Sequence, residues 1–135
     1  MEKHPKEWEE SYKRVEKIIL EKQIDIDARV KSRTLLHLAC LKNNEPIIKL
    51  LIENNANVNV KDRLEKTPFH VACRYGTKKT IRLFMKHFAD IHAKDIFIRT
   101  PLHYACKYNH RIVQLLLEHQ ADVTAEDKFL KTPLH

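Results

Sequence analysis

The sequence predicts an all-α solenoid in which helix–turn–helix units stack side by side and extended finger loops link one unit to the next. Three observations predict it. A motif with Thr, His, Ala and Cys at fixed places recurs as "TLLHLAC" at Thr34, "TPFHVAC" at Thr67 and "TPLHYAC" at Thr100, and "TPLH" returns at Thr132. The first three copies are 33 residues apart and the last follows after 32, with one residue lost beside Arg111. Each full copy leads into two apolar segments of helical spacing, and each unit then closes on an alternating stretch with turn-forming aspartate, such as "ADIHAKDIFIR". A two-helix unit of this size cannot bury both apolar faces alone, so stacking supplies the core.

The elements follow in order. Thr67 is a helix N-cap, and Pro68 sits at the first helical position, where its missing N–H costs nothing. Phe69, Val71, Ala72 and Cys73 keep one side of that helix apolar as far as Gly76, and Asn43 and Asn109 hold the matching place in the neighbouring units. Gly and Asn tolerate the left-handed conformation that ends a helix, which is the role expected of all three. The second helix carries Ile81, Leu83, Phe84 and Met85, or Ile112, Val113, Leu115, Leu116 and Leu117 one unit later. At the N-terminus "VEKIILEKQIDID" matches "IVQLLLEHQADVT" as a second helix and finger. Trp8, Tyr12, Val15 and Ile19, spaced for one face, predict a helix that covers the open end of the stack.

The period and the Thr-Pro-Leu-His-x-Ala signature resemble the ankyrin repeat, from about Glu16 onward. The resemblance divides a single domain over 1–135 into a capping helix and finger at 8–33, repeats at 34–66, 67–99 and 100–131, and the start of a further, truncated repeat at 132–135. The chain departs from that family's pattern in its glycine content, with one Gly in 135 residues. The finger turn holds Ser32, Glu65, Ile98 and Leu130 where the family carries Gly, and the end of the second helix holds Asn55, Phe88 and Gln120. Phe88 and Gln120 are expected either to relax the turn or to carry strain of about 1 kcal/mol each. Leu35 stands in place of the helix-starting proline, and the first finger, from Asp25 to Thr34, is one residue short.

The repeated His-x-x-Cys raises the question of metal binding or nucleophilic chemistry. Each pair lies on one helical face, but zinc needs four ligands at about 2.0 to 2.3 Å, and neighbouring packed helices lie about 8 to 10 Å apart. The pairs therefore form a ladder whose rungs cannot share an ion, and the same spacing opposes disulfides. No third group or oxyanion element accompanies the pairs, and no phosphate loop or coherent triad occurs elsewhere. We expect no catalytic residue, no metal and no cofactor. The resemblance implies that His37, His70, His103 and His135 hydrogen-bond the Thr of their own motif and nearby backbone. Cys40, Cys73 and Cys106 are expected to be buried, reduced fillers between helices.

The chain carries 25 Lys+Arg against 18 Asp+Glu, a formal net charge of +7. The resemblance says where a partner would meet that charge: the finger tips and the exposed side of the first helix. Those positions are Arg29, Val30, Lys31, Arg33, Leu41 and Lys42; Lys61, Arg63, Leu64, Lys66, Arg74 and Tyr75; Lys94, Ile96, Phe97, Arg99, Lys107 and Tyr108; and Glu126, Lys128, Phe129 and Lys131. Thirteen of these 22 residues are Lys or Arg and one is acidic. Charge spread for solubility would not collect on one face. Arg63, Leu64, Lys66, Arg74, Tyr75, Ile96, Phe97, Arg99, Lys107, Tyr108, Lys128 and Phe129 are the expected contact set, with the aromatic residues as anchors. This predicts a monomeric protein-binding module, scaffold or adaptor, for an acidic protein or peptide. A nucleic-acid strand is the alternative occupant, though no recognition motif for one is present.

The longest apolar runs fall far short of the roughly 20 residues needed to cross a bilayer, and "MEKHPKEWEE" has no apolar stretch behind its charges. An intracellular place, cytoplasmic or nuclear, is therefore expected. The resemblance also marks Asn59 and His92 as candidates for hydroxylation beside the fingers. The stop at His135, inside a motif, is expected of a fragment.

Overall fold

Thr34, Thr67 and Thr100 each end an extended segment and begin a helix, with φ near −85° and ψ near 165°. In the computed structural model, residues 13–14, 16–17 and 25–134 are described. The covering helix expected on Trp8, Tyr12, Val15 and Ile19, and His135, lie outside the described residues; residues 13, 14, 16 and 17 are helical. The first finger is a two-stranded antiparallel hairpin, β1 (Arg29–Val30) and β2 (Arg33–Thr34), with Val30 paired to Arg33. Then come α1 (Leu35–Leu41) and α2 (Glu45–Glu53), α3 (Pro68–Tyr75) and α4 (Lys78–Lys86), and α5 (Pro101–Tyr108), a single 3-10 turn (His110–Ile112) and α6 (Val113–Glu118).

The first helices α1, α3 and α5 stack side by side in one layer. The second helices stack behind them, α2 on α4 and α4 on the 3-10 turn. The core lies between the layers: Leu36, Ile48, Leu51, Phe69, Ile81, Phe84, Leu102, Ile112 and Leu116 are almost wholly removed from water. The rings of Phe69 and Phe84, 5.6 Å apart between centroids, join the two helices of one unit. Among the described residues no helix is long and apolar enough to cross a membrane.

Two irregularities have sequence causes. The shortened first finger turns on Lys31 and Ser32, both at positive φ (52° and 71°), the two-residue solution for a tight hairpin. The residue lost beside Arg111 removes the place of a second-helix N-cap. In α4, Thr77 accepts the Thr80 N–H at 3.4 Å. The third unit has no such cap, and its second helix opens as the 3-10 turn that carries Ile112 into the core.

Of the two outcomes expected where the family carries Gly, the left-handed one is found. The turns do not relax: Asn55, Phe88 and Gln120 stand at φ 69°, 64° and 66°, and Glu65, Ile98 and Leu130 at 59°, 59° and 62°. The expectation that Gly76 and Asn109 close their helices in the left-handed region is corrected; only Asn43 of the three does so, at φ 47°. Gly76 is extended, with φ −87° and ψ 174°. Its requirement is clearance, because a Cβ there would lie 2.6 Å from the Ala72 carbonyl oxygen.

Candidate partner-binding surface

Each finger after the first is built around one buried aspartate. A single oxygen of Asp62 accepts the N–H groups of Leu64 and Lys66, both at 2.9 Å. Asp95 does the same for Phe97 and Arg99 at 2.9 and 3.0 Å, and Asp127 for Phe129 and Lys131 at 2.8 and 3.0 Å. Two bonds from one ionised oxygen hold the loop shut around a left-handed residue that is not glycine.

The partner of the second carboxylate oxygen varies. Arg33 lies 3.9 Å from Asp62 and Arg99 lies 3.6 Å from Asp127. Asp95 instead accepts the hydroxyl of buried Tyr104, and the Lys66 ammonium sits 5.1 Å above that ring. Burial and the Asp95 carboxylate push the Tyr104 phenol well above its ordinary pKa. Neither Tyr104 nor the finger aspartates were in the expected contact set. The signal for Tyr104 was a break in the repeat, since Leu38 and Val71 hold its place in the other units.

Neighbouring fingers are tied by backbone. Ile96 N–H donates to the Leu64 carbonyl at 2.9 Å, and Lys128 N–H to the Phe97 carbonyl at 2.8 Å. The finger tips thus form one continuous edge on which Arg63, Leu64, Ile96, Lys128 and Phe129 are exposed. Lys66 and Arg99, expected as partner contacts, are half-buried and engaged within the protein, Arg99 also lying 5.1 Å over the Phe97 ring.

At the other ends of α3 and α5 four expected residues come together. The Arg74 guanidinium lies 4.0 Å from the Tyr108 ring centre and 5.0 Å from that of Tyr75, and the Lys107 ammonium lies 5.2 Å from Tyr108. Cation and ring attract through the ring quadrupole, so Arg74 bridges two units. Lys107, and to a lesser degree the charges of Arg74 and Arg99, hold the Tyr108 phenol below its ordinary pKa. These residues open onto a cleft of about 840 Å³, and a smaller hollow of about 200 Å³ lies between Tyr104, Tyr108 and the last finger.

The repeated histidines are consumed by structure. In His70, Nδ1 accepts the Thr67 N–H at 3.1 Å while Nε2 bonds the Arg99 carbonyl at 3.0 Å. His37 repeats this with Thr34 and Lys66, and His103 with Thr100 and Lys131. The bond therefore reaches the next finger as well as the histidine's own motif. Since a carbonyl can only accept, Nε2 carries the proton and Nδ1 is left as acceptor. Burial lowers the pKa of His37 and His70.

Cys40 and Cys73 are buried, and burial pushes both thiols far above their ordinary pKa. The expectation of burial fails for Cys106, which is partly exposed. Asn59 is exposed, with its side-chain oxygen accepting the Asp90 N–H at 2.7 Å and its amide reaching the Phe88 carbonyl at 3.3 Å. His92 is exposed at the corresponding place one unit on.

A profile of the family described as Ankyrin repeats (3 copies) matches residues 9–95, and one described as Ankyrin repeat matches residues 99–128. Comparison with curated proteins gave no match. With three His-stapled units, paired helices and aspartate-centred fingers in the same register, the chain belongs to the ankyrin-repeat family.

Proposed function

We propose that this chain is a non-catalytic scaffold or adaptor that works inside the cell and presents a basic, aromatic-studded inner surface to an acidic protein or peptide. Ankyrin repeats are in general protein–protein interaction modules. One observation carries the finer reading: Arg74 and Lys107 sit against the exposed rings of Tyr75 and Tyr108 with no carboxylate within ion-pair distance among the described residues. A stacked cation keeps its charge available, and the ring beside it supplies the apolar contact that interfaces concentrate at their centres.

The test is binding of an Asp- and Glu-rich peptide library. Reversing Arg74 and Lys107 to Glu is expected to slow association and flatten its salt dependence. Tyr75→Ala or Tyr108→Ala is expected to speed dissociation, each costing about 1 to 3 kcal/mol. Reversal of Lys49, Lys79 and Lys86 on the second helices is the control for general charge. Equal losses from the control would overturn the assignment of the surface. Tight, steeply salt-dependent capture of single-stranded oligonucleotides in place of peptide would move the reading to nucleic acid.

A further inference from the structure

The charged side chains that line the cleft at the ends of α3 and α5 are all positive. Arg74, Lys78, Lys107 and Arg111 line it beside Tyr75 and Tyr108, and no Asp or Glu does. Elsewhere Arg33 and Arg99 meet finger aspartates. Among the described residues none of the four cleft cations has an ion-pair partner. Four like charges around one cleft favour a multiply charged anion there.

We propose that this cleft binds the phosphate of a phosphorylated side chain in the partner's acidic segment. The inference rests on the reading that the inner surface takes an acidic peptide, and it names the group that would seat at one end. A carboxylate brings one charge, whereas a phosphate monoester brings about −1.5 to −2 at neutral pH with three strong acceptor oxygens. Arg74 suits it: its guanidinium carbon lies 4.0 Å from the Tyr108 ring centre, and a guanidinium offers forked N–H donors that match phosphate oxygens. Tyr75 and Tyr108, 42% and 45% exposed, give the peptide chain an apolar wall beside the charge.

The fold also sets a spacing. The fingers join the N-terminal ends of α3 and α5, the cleft lies at their C-terminal ends, and each helix has eight residues. Eight residues of helix span about 12 Å, which an extended peptide covers in about four residues. A bound peptide would therefore place an apolar residue about four positions from its phosphate, against Ile96 and Phe97.

The experiment uses the full chain and two degenerate peptide libraries, identical but for a central phosphoserine or serine, at one ionic strength. Expected is at least tenfold greater retention of the phosphorylated library, with apolar residues enriched about four positions away. Arg74→Gln combined with Arg111→Gln should abolish that preference, and Lys49→Gln with Lys86→Gln should leave it. Equal retention of both libraries, or a preference that survives the cleft variant, overturns the proposal. So does binding of inositol hexakisphosphate or anionic phospholipid vesicles to the cleft without any preference for the phosphorylated library. If the serine library binds and is lost only with Arg63→Gln and Lys128→Gln, the inner-surface reading stands and the phosphate site falls. If neither library binds, both fall.

Discussion

His70 and Arg99 are 29 residues apart, yet the ring of one donates to the backbone carbonyl of the other at 3.0 Å. That bond ties the first helix of the unit at 67–99 to the finger residue just before the next helix start, and Nδ1 of the same ring caps its own helix start. One neutral imidazole thus couples the helix start to the finger from which the next unit begins. Protonating Nδ1 would set an N–H against the Thr67 N–H.

Stability should therefore fall with acid. Burial lowers the folded pKa of His37 and His70 below the ordinary value of 6.5, so below that value the unfolded chain binds more protons. Their contribution is complete above about pH 6.5 and is lost as pH falls through the folded values. Urea unfolding at pH 7.5 and 5.5 checks this. The His37→Gln, His70→Gln double variant should be less stable at pH 7.5 by about 1 to 3 kcal/mol per broken staple, but with a shallower pH slope. An unchanged slope would remove the histidines from the explanation.

The Tyr104 hydroxyl on Asp95 makes a second test. Tyr104→Phe keeps the ring under Lys66 and removes one bond to an ionised, buried carboxylate, a loss of about 1.5 to 3 kcal/mol. Asp95→Ala should cost more, because it also frees the Phe97 and Arg99 N–H groups that close the finger. Denaturant midpoints rank the two. If Asp95→Ala is the milder change, the finger is not held by its aspartate.

Thiol chemistry should order the cysteines. Cys106, partly exposed, is expected to react first with a bulky maleimide in native buffer. Cys40 and Cys73 are buried with thiolate formation opposed, and should label at the rate of unfolding. Peptide mass spectrometry over a time course reads the order, and prompt labelling of Cys73 would contradict the packing.

What could be read from residues alone was what short range decides. The Thr67–Pro68 helix start, the apolar faces ending in Phe84 and Leu116, and the Asp-bearing fingers each follow from neighbours within a turn or two. The reach of His70 to Arg99 and the exchange of an Arg–Asp pair for Tyr104 on Asp95 depend on how distant segments fold together, and no local pattern records that. Of the surface, Arg74 and Tyr108 were anticipated as exposed, but their 4.0 Å stack was not. Lys78 and Arg111 were missed because they belong to the start of a second helix, which meets the cleft only after the chain has turned at Gly76 or Asn109. Gly76 itself was misread because composition shows that glycine is permitted, without showing whether φ or space requires it.

That distinction yields opposite outcomes for two glycine exchanges. Phe88 holds φ 64° at the end of α4, where its N–H bonds the Met85 carbonyl and the Ala89 N–H bonds the Phe84 carbonyl, both at 3.1 Å. Its ring is 87% exposed, so replacing it forfeits almost no packing. A left-handed residue with a Cβ costs about 1 to 2 kcal/mol, and glycine returns part of this as extra freedom of the unfolded chain, about 0.5 to 1 kcal/mol. Phe88→Gly should therefore stabilise the fold by up to about 1 kcal/mol, and Asn55→Gly by less, since Asn already tolerates the region. Gly76→Ala should do the reverse: its φ suits alanine, but the new Cβ meets the Ala72 carbonyl oxygen at 2.6 Å. Backbone must then shift between α3 and α4, at a cost of about 1 to 3 kcal/mol. Urea midpoints at constant m decide the matter. A destabilised Phe88→Gly, or a stabilised Gly76→Ala, would mean that the positive φ and the close approach have been assigned to the wrong residues.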